Sequence, residues 1–333
     1  MHKKNVAVIG CGLWGRNIVR NFYNLNALHT VCDIDDENLN TIRQDYKGVN
    51  VTKDFADVLK NDEIEAVAVI TPSHTHYKIV KAVLDAGKHV YVEKPISTVA
   101  QEAKDLTEMA DSKGLVLMVG HLLLYHPAVN RLKSLVKEGT LGEIKYVQSD
   151  RLNINYFKND RSVMWDLAPH DLSMINYILG EEPDKVLSAV GQSAEDNDIF
   201  DITHISISYP SGVVAHIENS WIHPQKRVHL MIRGTKSTAV FDDSATEDKL
   251  LLFDNTTPGQ SSVKLALDYL EIEPLKLECQ HFLACVKNKV KARSDGENGY
   301  NVVKILQDAE KMMLGDRVKK LDEINYAYSR RKK

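Results

Sequence analysis

A glycine-rich turn near the start of the chain most constrains its fold. A β-type run over residues 6–9 leads into Gly10-Cys11-Gly12-Leu13-Trp14-Gly15, and helical character follows over 16–23. In a strand–turn–helix unit with this spacing, the first glycine allows the tight turn and the second lets the backbone approach a pyrophosphate. The third lets the helix pack closely on the strand. The pattern predicts the opening of a Rossmann-type parallel sheet.

An acidic residue at the end of the next β-type run strengthens this prediction. Asp33 lies 18 residues after Gly15, where a carboxylate can accept hydrogen bonds from an adenosine ribose. The helix that begins at the turn would present unpaired N–H groups to phosphates. Asp35 and Asp36 follow and no arginine does, so a 2′-phosphate would meet only negative charge. The sequence predicts dinucleotide binding, with NAD preferred over NADP.

Strand-like and helix-like stretches alternate through residue 120. The predicted strands are 6–9, 28–32, 67–70, 89–92 and 115–119, with 49–51 as a weaker candidate, and further helices are predicted at 36–46, 76–86 and 100–112. Near-continuous apolar strands linked by helices are typical of a doubly wound parallel sheet. We therefore predict an α/β Rossmann domain over residues 1–121.

The pattern changes after Gly120 and predicts an α+β domain over residues 122–333 with a large, open, mostly antiparallel sheet. Strand-like segments are 144–155, 186–191, 202–209, 213–221, 228–233 and 238–242, and helices are predicted at 127–138, 167–179, 274–288 and 300–313. Apolar and polar residues alternate over 202–220, so one face of the sheet is apolar. The polar face, which carries His204 and His216, is predicted to be an interface between copies in a homodimer or homotetramer.

Composition excludes several classes of function. The 333 residues are 43 % hydrophobic and 26 % charged with a net charge of −4, so no basic field favours nucleic acid or an anionic membrane. The longest apolar run, 115–119, is too short to span a bilayer. The four cysteines have no CxxC spacing and are expected to be reduced thiols. Without a signal-peptide pattern after Met1, a cytoplasmic location is expected.

Several motifs together resemble the glucose–fructose oxidoreductase / inositol dehydrogenase (Gfo/Idh/MocA) family over essentially the whole chain. They are the GCGLWG turn, Thr71-Pro72-Ser73 with His76, Glu93-Lys94-Pro95, and Trp165-Asp166-Leu167-Ala168-Pro169-His170. The segments GHLLLYHPAV, WDLAPHD, SWIHPQK and SDGENG resemble a branch encoded with surface-polysaccharide enzymes. That branch includes NAD-dependent enzymes that oxidise the C3 hydroxyl of UDP-N-acetylhexosamines. One departure is Leu122-Leu123-Leu124, where many members carry a basic residue that contacts substrate.

The resemblance assigns catalytic roles to Lys94, Asp166 and His170. Hydride transfer from a secondary alcohol needs a base for the hydroxyl proton and a donor for the developing oxyanion. The family leaves open whether the lysine or the histidine is the base. Asp166 and His170 are four residues apart and would share a helical face. Because Pro169 fits only the first turn of a helix, that helix is expected to begin near Asp166, where Asp166 could also act as an N-cap.

Binding residues are predicted on both domains. The cofactor residues are Gly10, Gly12, Leu13, Trp14, Gly15, Asp33, Thr71, Pro72, His76, Glu93 and Lys94, although His76 could equally be a packed helix-start residue. Residues that could meet a diphosphate or uridine are Arg151, Asn153, Tyr156, Arg161, His223 and Lys226. No metal is expected, because His74 and His76 have no suggested third ligand.

The sequence is compatible with three hypotheses about the function. The favoured one is an NAD-dependent oxidoreductase that makes a 3-keto UDP-N-acetylamino sugar, from UDP-GlcNAc or its uronic acid, for a following aminotransferase. The second hypothesis is an NAD-dependent oxidoreductase of the same reaction type whose substrate is a free cyclitol or aldose. A third is a non-catalytic dinucleotide sensor, which would not need Lys94, Asp166 and His170 together.

Overall fold

The chain forms two compact units in a computed structural model that describes residues 4–154, 162–194, 199–255 and 264–330, with side chains in the last helix described as far as residue 315. The first unit comprises Met1–Pro127 and Glu271–Val303, and the second comprises Ala128–Leu270 and Lys304–Lys333. The boundary predicted between residues 121 and 122 stays a prediction. The structure adds that residues 271–303 lie with the first unit.

The first unit begins with alternating strands and helices. Its elements are β1 (Val6–Ile9), α1 (Gly15–Asn24), β2 (Leu28–Cys32), α2 (Asp36–Asp45), β3 (Asn50–Thr52), α3 (Phe55–Lys60), β4 (Ala66–Val69), α4 (His76–Asp85), β5 (His89–Glu93), α5 (Ala100–Ser112) and β6 (Leu117–Gly120). The six strands are parallel in the order β3-β2-β1-β4-β5-β6. Strands β1 and β4 are buried along their whole length, as expected for a sheet covered by helices on both faces.

The second unit is built on a larger sheet. Its elements are α6 (Pro127–Lys137), β7 (Ile144–Ile154), α7 (Val163–Leu179), β8 (Lys185–Gln192), β9 (Ile202–Ser208), β10 (Val214–Ser220), β11 (Ile222–Gly234), β12 (Ser237–Asp242), β13 (Leu250–Asp254) and β14 (Lys264–Ala266). The strand order is β14-β13-β12-β11-β7-β10-β9-β8, and of these pairs only β10–β7 is parallel. The predicted fold class, a Rossmann sheet plus an α+β domain with a mostly antiparallel sheet, is confirmed.

The register of β9 and β10 explains their alternating sequence. Ile205 pairs with Ile217 and Ile207 with Ala215, and all four side chains are buried. On the other face, His216 Nδ1 lies 2.9 Å from the hydroxyl of Ser206. One face of the sheet therefore contributes to the core, as the alternation predicts.

The last two helices are α8 (Pro274–Asn288) and α9 (Gly296–Arg330). Helix α8 packs in the first unit, where the Phe282 ring makes edge contacts with Phe22 of α1 and Tyr91 of β5. The four cysteines are free and buried, in agreement with the prediction of reduced thiols. No helix among the described residues has the length and apolarity that a membrane span requires.

Two helices extend well beyond their predicted bounds. Helix α7 begins at Val163 with Ser162 as its N-cap, so the expected start near Asp166 is wrong and Pro169 lies inside the helix. Val163 and Trp165 are buried, and their packing extends the helix over a first turn that the proline alone did not predict. Helix α9 continues well past the predicted end at residue 313.

A buried acid joins α8 to the parallel sheet. Tyr91 Oη lies 3.1 Å from Glu278 Oε2 and 3.4 Å from Glu93 Oε1. Glu278 is completely buried, and its Oε1 has no hydrogen-bond partner among the described residues. Burial, together with the nearby Glu93 carboxylate, raises the pKa of Glu278 well above its ordinary value. The folded chain therefore favours the neutral, protonated form of Glu278.

Replacing Glu278 with glutamine is expected to improve stability increasingly as pH rises. In the unfolded chain Glu278 ionises above about pH 4.3, whereas in the folded chain its raised pKa makes it keep its proton to higher pH. Unfolding then releases a proton, so the contribution of this group to stability is lost between the unfolded and the folded pKa. Denaturant unfolding at about pH 5 and about pH 8 should show the advantage of Glu278→Gln growing by up to about 1.4 kcal/mol per pH unit.

A surface substitution of the same kind provides the control for this measurement. Glu108 is 67 % exposed and lies 3.7 Å from Lys104, so Glu108→Gln should leave a stability curve nearly parallel to that of the wild type. If Glu278→Gln also ran parallel to the wild type, a protonated Glu278 would be excluded.

Candidate active site

The carboxyl ends of the parallel strands bring predicted cofactor residues of the first unit, together with His121, to one edge of the sheet. Gly10 follows β1, Asp33 follows β2, Thr71 follows β4, Lys94 follows β5 and His121 follows β6. Strand β1 lies between β2 and β4, so the order of the strands reverses there. Ligands of doubly wound sheets bind at such a switch point, outside the carboxyl ends of the strands.

The three glycines of the turn meet different surroundings. Gly10 has a φ of +93°, and a Cβ there would lie 2.7 Å from the carbonyl oxygen of Ile70. A Cβ at Gly15 would lie 2.3 Å from the carbonyl oxygen of Gly10, whereas one at Gly12 would meet no atom within 4 Å. The turn itself requires Gly10 and Gly15, and Gly12 borders open space. This geometry fits the approach of a pyrophosphate to the backbone at Gly12.

Asp33 is fixed by the backbone of the same turn. Its Oδ2 accepts from the N–H of Cys11 at 2.7 Å, and its Oδ1 accepts from the N–H of Asp35 at 2.9 Å. Burial alone would raise the pKa of Asp33, but these backbone hydrogen bonds outweigh it and the pKa is lowered. The carboxylate is ionised and held beside the glycine turn, where its remaining lone pairs can accept from ribose hydroxyls.

Large apolar side chains are exposed around this turn. Leu13 is 94 % exposed and Ile34, directly after Asp33, is 85 % exposed. Exposed apolar residues at the mouth of a site can pack on the flat rings of a ligand. Ile34 is not among the predicted cofactor residues. The sequence does contain an indication of this residue. Ile34 lies between two aspartates, and a large apolar residue is unusual in such a polar turn.

Glu93 connects the glycine turn to the end of β5. The Trp14 indole N–H donates to Glu93 Oε1 at 2.5 Å, and the Lys94 backbone N–H donates to Glu93 Oε2 at 3.0 Å. Burial raises the pKa of Glu93, and the Trp14 hydrogen bond and the Lys94 charge oppose that rise. The carboxylate thus fixes the peptide unit that carries Lys94.

Two histidines of the first unit, His76 and His121, lie near the segment that carries Lys94. His76 is buried, with ring nitrogens 2.7 Å from the carbonyl oxygen of Thr71 and 2.8 Å from that of Pro95. His121, which the sequence analysis did not select, lies 2.6 Å through Nδ1 from Asn298 Oδ1. Burial, opposed by the Asn298 hydrogen bond and aided by the Lys94 charge, lowers the pKa of His121 to about 4. His121 is therefore neutral at working pH.

In the second unit, Asp166 and His170 lie on helix α7. Asp166 is in the first turn and His170 follows one turn later, with both side chains half-buried. Pro169 lacks the N–H that would bond the carbonyl of Trp165, so the helix ladder is interrupted beside His170. The next residue, Asp171, is completely buried.

Asp171 fastens α7 to the large sheet. Its Oδ1 accepts from the Ser149 hydroxyl at 2.9 Å, and its Oδ2 accepts from the Asn219 amide at 3.0 Å. Arg151 Nε lies 3.1 and 3.3 Å from the two carboxylate oxygens. This pairing engages the guanidinium of Arg151, a predicted substrate residue, in a structural role. It also fixes the position of the neighbouring His170.

The remaining predicted substrate residues differ in their burial and hydrogen bonding. Asn153 on β7 is half-buried, Lys226 is exposed, and His223 Nδ1 lies 2.7 Å from the carbonyl oxygen of Gln225. Tyr156 and Arg161 lie outside the described residues. Within the described ranges, no three His, Cys, Asp or Glu side chains are grouped as a metal site would require, and the absence of a metal stays a prediction.

Comparison with known protein families identifies the class. Residues 4–121 match the model described as the oxidoreductase family, NAD-binding Rossmann fold, and residues 129–240 match the GFO/IDH/MocA C-terminal domain. The chain belongs to the GFO/IDH/MocA oxidoreductase family. The predictions of this family, of an NAD-dependent oxidoreductase and of NAD as the cofactor are thereby confirmed.

Individual relatives have different substrates. UDP-N-acetylglucosamine 3-dehydrogenase of Acidithiobacillus ferrooxidans is 28 % identical over 248 residues, covering 72 % of this chain and 76 % of that protein. A solved structure of that enzyme aligns with a TM-score of 0.80 at 25 % identity, covering 93 % of this chain and 96 % of that one. Myo-inositol 2-dehydrogenase of Thermotoga maritima is 24 % identical over 341 residues, covering 96 % and 99 % of the two chains.

Asp33→Ser is expected to narrow the preference for NAD⁺ over NADP⁺. The Asp33 carboxylate would accept a hydrogen bond from a ribose 2′-OH and repel a 2′-phosphate, and like-charge contacts at a binding site cost several kcal/mol. The ratio of kcat/KM for the two cofactors should fall by roughly tenfold or more, since each 1.4 kcal/mol is about tenfold. Asp85→Ser is the control, because Asp85 is 51 % exposed and pairs with Lys81 and Lys113 at the C-terminal end of α4. A wild-type preference for NADP⁺ would refute the assignment.

Proposed function

We propose that this enzyme oxidises the C3 hydroxyl of a UDP-N-acetylamino sugar, UDP-GlcNAc or its uronic acid, in the synthesis of a surface-polysaccharide or lipid-glycan precursor. The observation that carries the proposal is the similarity to UDP-N-acetylglucosamine 3-dehydrogenase, which extends over 93 % of this chain in the structural alignment. The motifs shared with nucleotide-sugar oxidoreductases support it.

The residues of the first unit suit the binding of NAD. Gly10, Gly12 and Gly15 would receive the pyrophosphate, Asp33 the adenosine ribose, and Leu13 and Trp14 the flat surfaces of the cofactor. Thr71, Pro72, His76 and Glu93 are the further cofactor-side residues in this proposal. Bound NAD⁺ supplies the hydride acceptor.

Oxidation removes a hydride from C3 and a proton from its hydroxyl, leaving a ketone. Lys94 or His170 takes the proton, and Asp166 orients the sugar or the imidazole. Histidine is the side chain that most often serves as a general base, whereas Lys94 needs a lowered proton affinity to act as one. Asn153, Tyr156, Arg161, His223 and Lys226 are the proposed contacts to the nucleotide, which would supply remote binding energy to orient C3. Arg151 is left out of this proposal because its guanidinium pairs with Asp171.

The product and assembly follow from the same proposal. A 3-keto sugar is the substrate that an aminotransferase requires, so we propose functional coupling to such an enzyme. The polar face of the large sheet, with His204 and His216, is the proposed interface of a homodimer or homotetramer. The proposed location is the cytoplasm, where UDP-sugars and reduced cysteines are expected.

A panel of substrates tests the proposal. The enzyme is mixed with NAD⁺ and UDP-GlcNAc, its uronic acid, myo-inositol or glucose, and NADH absorbance is followed. Because oxidation of a secondary sugar hydroxyl by NAD⁺ is usually uphill, an aminotransferase with glutamate is added in parallel to remove ketone. Mass analysis should find a 3-keto or 3-amino nucleotide sugar, and solvent ¹⁸O should enter at C3 of the ketone.

The alternative substrate class has its own support. The myo-inositol 2-dehydrogenase of Thermotoga maritima aligns over 96 % of this chain, so a free cyclitol or aldose is the second candidate. Reaction of myo-inositol or glucose, with neither nucleotide sugar turned over, would replace the proposal by this one. Lys94→Ala, run with every substrate, controls for NADH formed by contaminating enzymes.

A further inference from the structure

His76 joins the ends of two neighbouring strands in the first unit. It is the first residue of α4 and is only 1 % exposed. Its Nε2 lies 2.7 Å from the carbonyl oxygen of Thr71, which follows β4. Its Nδ1 lies 2.8 Å from the carbonyl oxygen of Pro95, which follows Lys94 at the end of β5. The ring therefore spans two segments of the candidate cofactor edge.

The chemistry of these two contacts limits the protonation state of the ring. A carbonyl oxygen can only accept, and a neutral imidazole has a single N–H to donate. In either neutral tautomer, one ring lone pair would face a carbonyl lone pair at hydrogen-bond distance. The imidazolium donates through both nitrogens, and charge-assisted N–H hydrogen bonds have lengths of about 2.7–2.9 Å. Both observed distances fall in that range.

The geometry points to His76 as a doubly protonated positioning residue, whose fixed positive charge holds the Lys94–Pro95 turn and favours the neutral, proton-accepting form of Lys94. The inference about Lys94 rests on the proposed dehydrogenase function. The protonation state of His76 does not. A nearby positive charge disfavours a second one, and this is what a lysine base needs near neutral pH.

Other ionisable groups on the surrounding elements act on the same turn. Glu93 at the end of β5 attracts the Lys94 charge, and its effect on Lys94 opposes that of His76. His121 after β6 is neutral. Glu102 in the first turn of α5 accepts from the Ser97 hydroxyl. A positive His76 thus offsets the Glu93 carboxylate, which would otherwise hold Lys94 in its protonated form.

Histidine NMR tests the protonation state without any substrate. Protein labelled with ¹⁵N in histidine is recorded at about pH 8, well above the ordinary histidine pKa of about 6.5, and His76→Asn identifies the signal. Both ring nitrogens of His76 should carry protons. His89 is the matched control, because its Nδ1 accepts from the Val116 backbone N–H at 2.9 Å and so must be unprotonated. A neutral tautomer at His76 under these conditions overturns the inference.

The pH profile of His76→Gln tests the effect on Lys94. Glutamine keeps a hydrogen-bond donor but removes the charge, so the limb of the kcat/KM profile that reports the base should move to higher pH. A shift of about one unit lowers kcat/KM about tenfold below that pH. His89→Gln should leave the profile unshifted. If His76→Gln lowered activity equally at every pH, His76 would have only a structural role.

The two experiments separate the possible failures. A cationic His76 in the NMR spectrum with an unshifted pH profile would remove its influence on Lys94 and favour His170 as the base. A cationic His76 with no activity on any nucleotide sugar would leave the protonation state established and refute the proposed substrate. The protonation state is measured on the wild-type chain, and His76→Gln serves to assign the signal if His76→Asn does not fold.

Discussion

Lys94→Ala is expected to lower kcat by roughly 10²–10⁴-fold, the contribution typical of a positioned proton-transfer group, while NAD⁺ affinity changes little. The cofactor would be held mainly by the glycine turn and Asp33, and Asp33 is fixed by backbone N–H groups of Cys11 and Asp35. Alanine at position 94 leaves those bonds in place. Calorimetric NAD⁺ affinity and steady-state rates, taken on one preparation, measure both quantities.

The control for Lys94→Ala is a lysine of the same unit outside the candidate site. Lys78 is an exposed residue of α4, and Lys78→Ala should retain both kcat and NAD⁺ affinity. His170→Ala should lose turnover to a similar degree. If Lys94 and His170 act as a unit, the loss in the double variant is smaller than the product of the single losses. A Lys94→Ala enzyme with near-normal kcat would exclude Lys94 from proton transfer.

The sequence was most informative where function depends on local spacing. The turn from Gly10 to Gly15 and the acid at Asp33 could be located because the steric demands of a tight turn act on neighbours in the chain. Gly15 shows this directly, since a Cβ there would collide with the carbonyl oxygen of Gly10. The parallel sheet could also be predicted, because buried strands are continuous apolar runs.

Long-range packing explains what the sequence could not predict. Helix α7 begins at Val163 because buried side chains around Trp165 pack there, and Pro169 is accommodated inside the helix. The bond between Tyr91 and Glu278 joins residues 187 positions apart. Neither residue stands in a motif that would pair it with the other. Buried polar networks of this kind depend on tertiary contacts that no local pattern encodes.

His76 combines a feature that local spacing predicts with one that depends on long-range packing. Its position in the motif after Thr71-Pro72 indicated a residue on the cofactor side of the sheet, or one packed beneath the loop. The structure gives it two carbonyl partners, from Thr71 and Pro95. The second partner comes from a different strand end, so the motif could indicate that the histidine matters but not that both of its nitrogens are engaged.

Asp171→Ala is expected to destabilise the protein by about 3–5 kcal/mol, the loss typical when one partner of a buried ion pair is removed. The Asp171 side chain is 1 % exposed and the Arg151 side chain 13 %, with Arg151 Nη2 3.1 Å from Asp171 Oδ1. Alanine would leave the guanidinium charge buried without its carboxylate. It would also remove the acceptor that Ser149 and Asn219 share.

Denaturant unfolding measures this loss against a matched surface pair of the same unit. Glu138 lies 3.7 Å from Arg131, with side chains 56 % and 40 % exposed, so Glu138→Ala should cost only about 0–1 kcal/mol. Asp171→Asn keeps the shape of the side chain and one acceptor oxygen, so its loss of stability should lie between those of Asp171→Ala and Glu138→Ala. Because Asp171 holds the turn of α7 that carries His170, folded Asp171→Asn enzyme should also show reduced kcat. A cost for Asp171→Ala no larger than that of Glu138→Ala would mean that the Arg151 charge is solvated, and that Arg151 is available to bind a diphosphate instead.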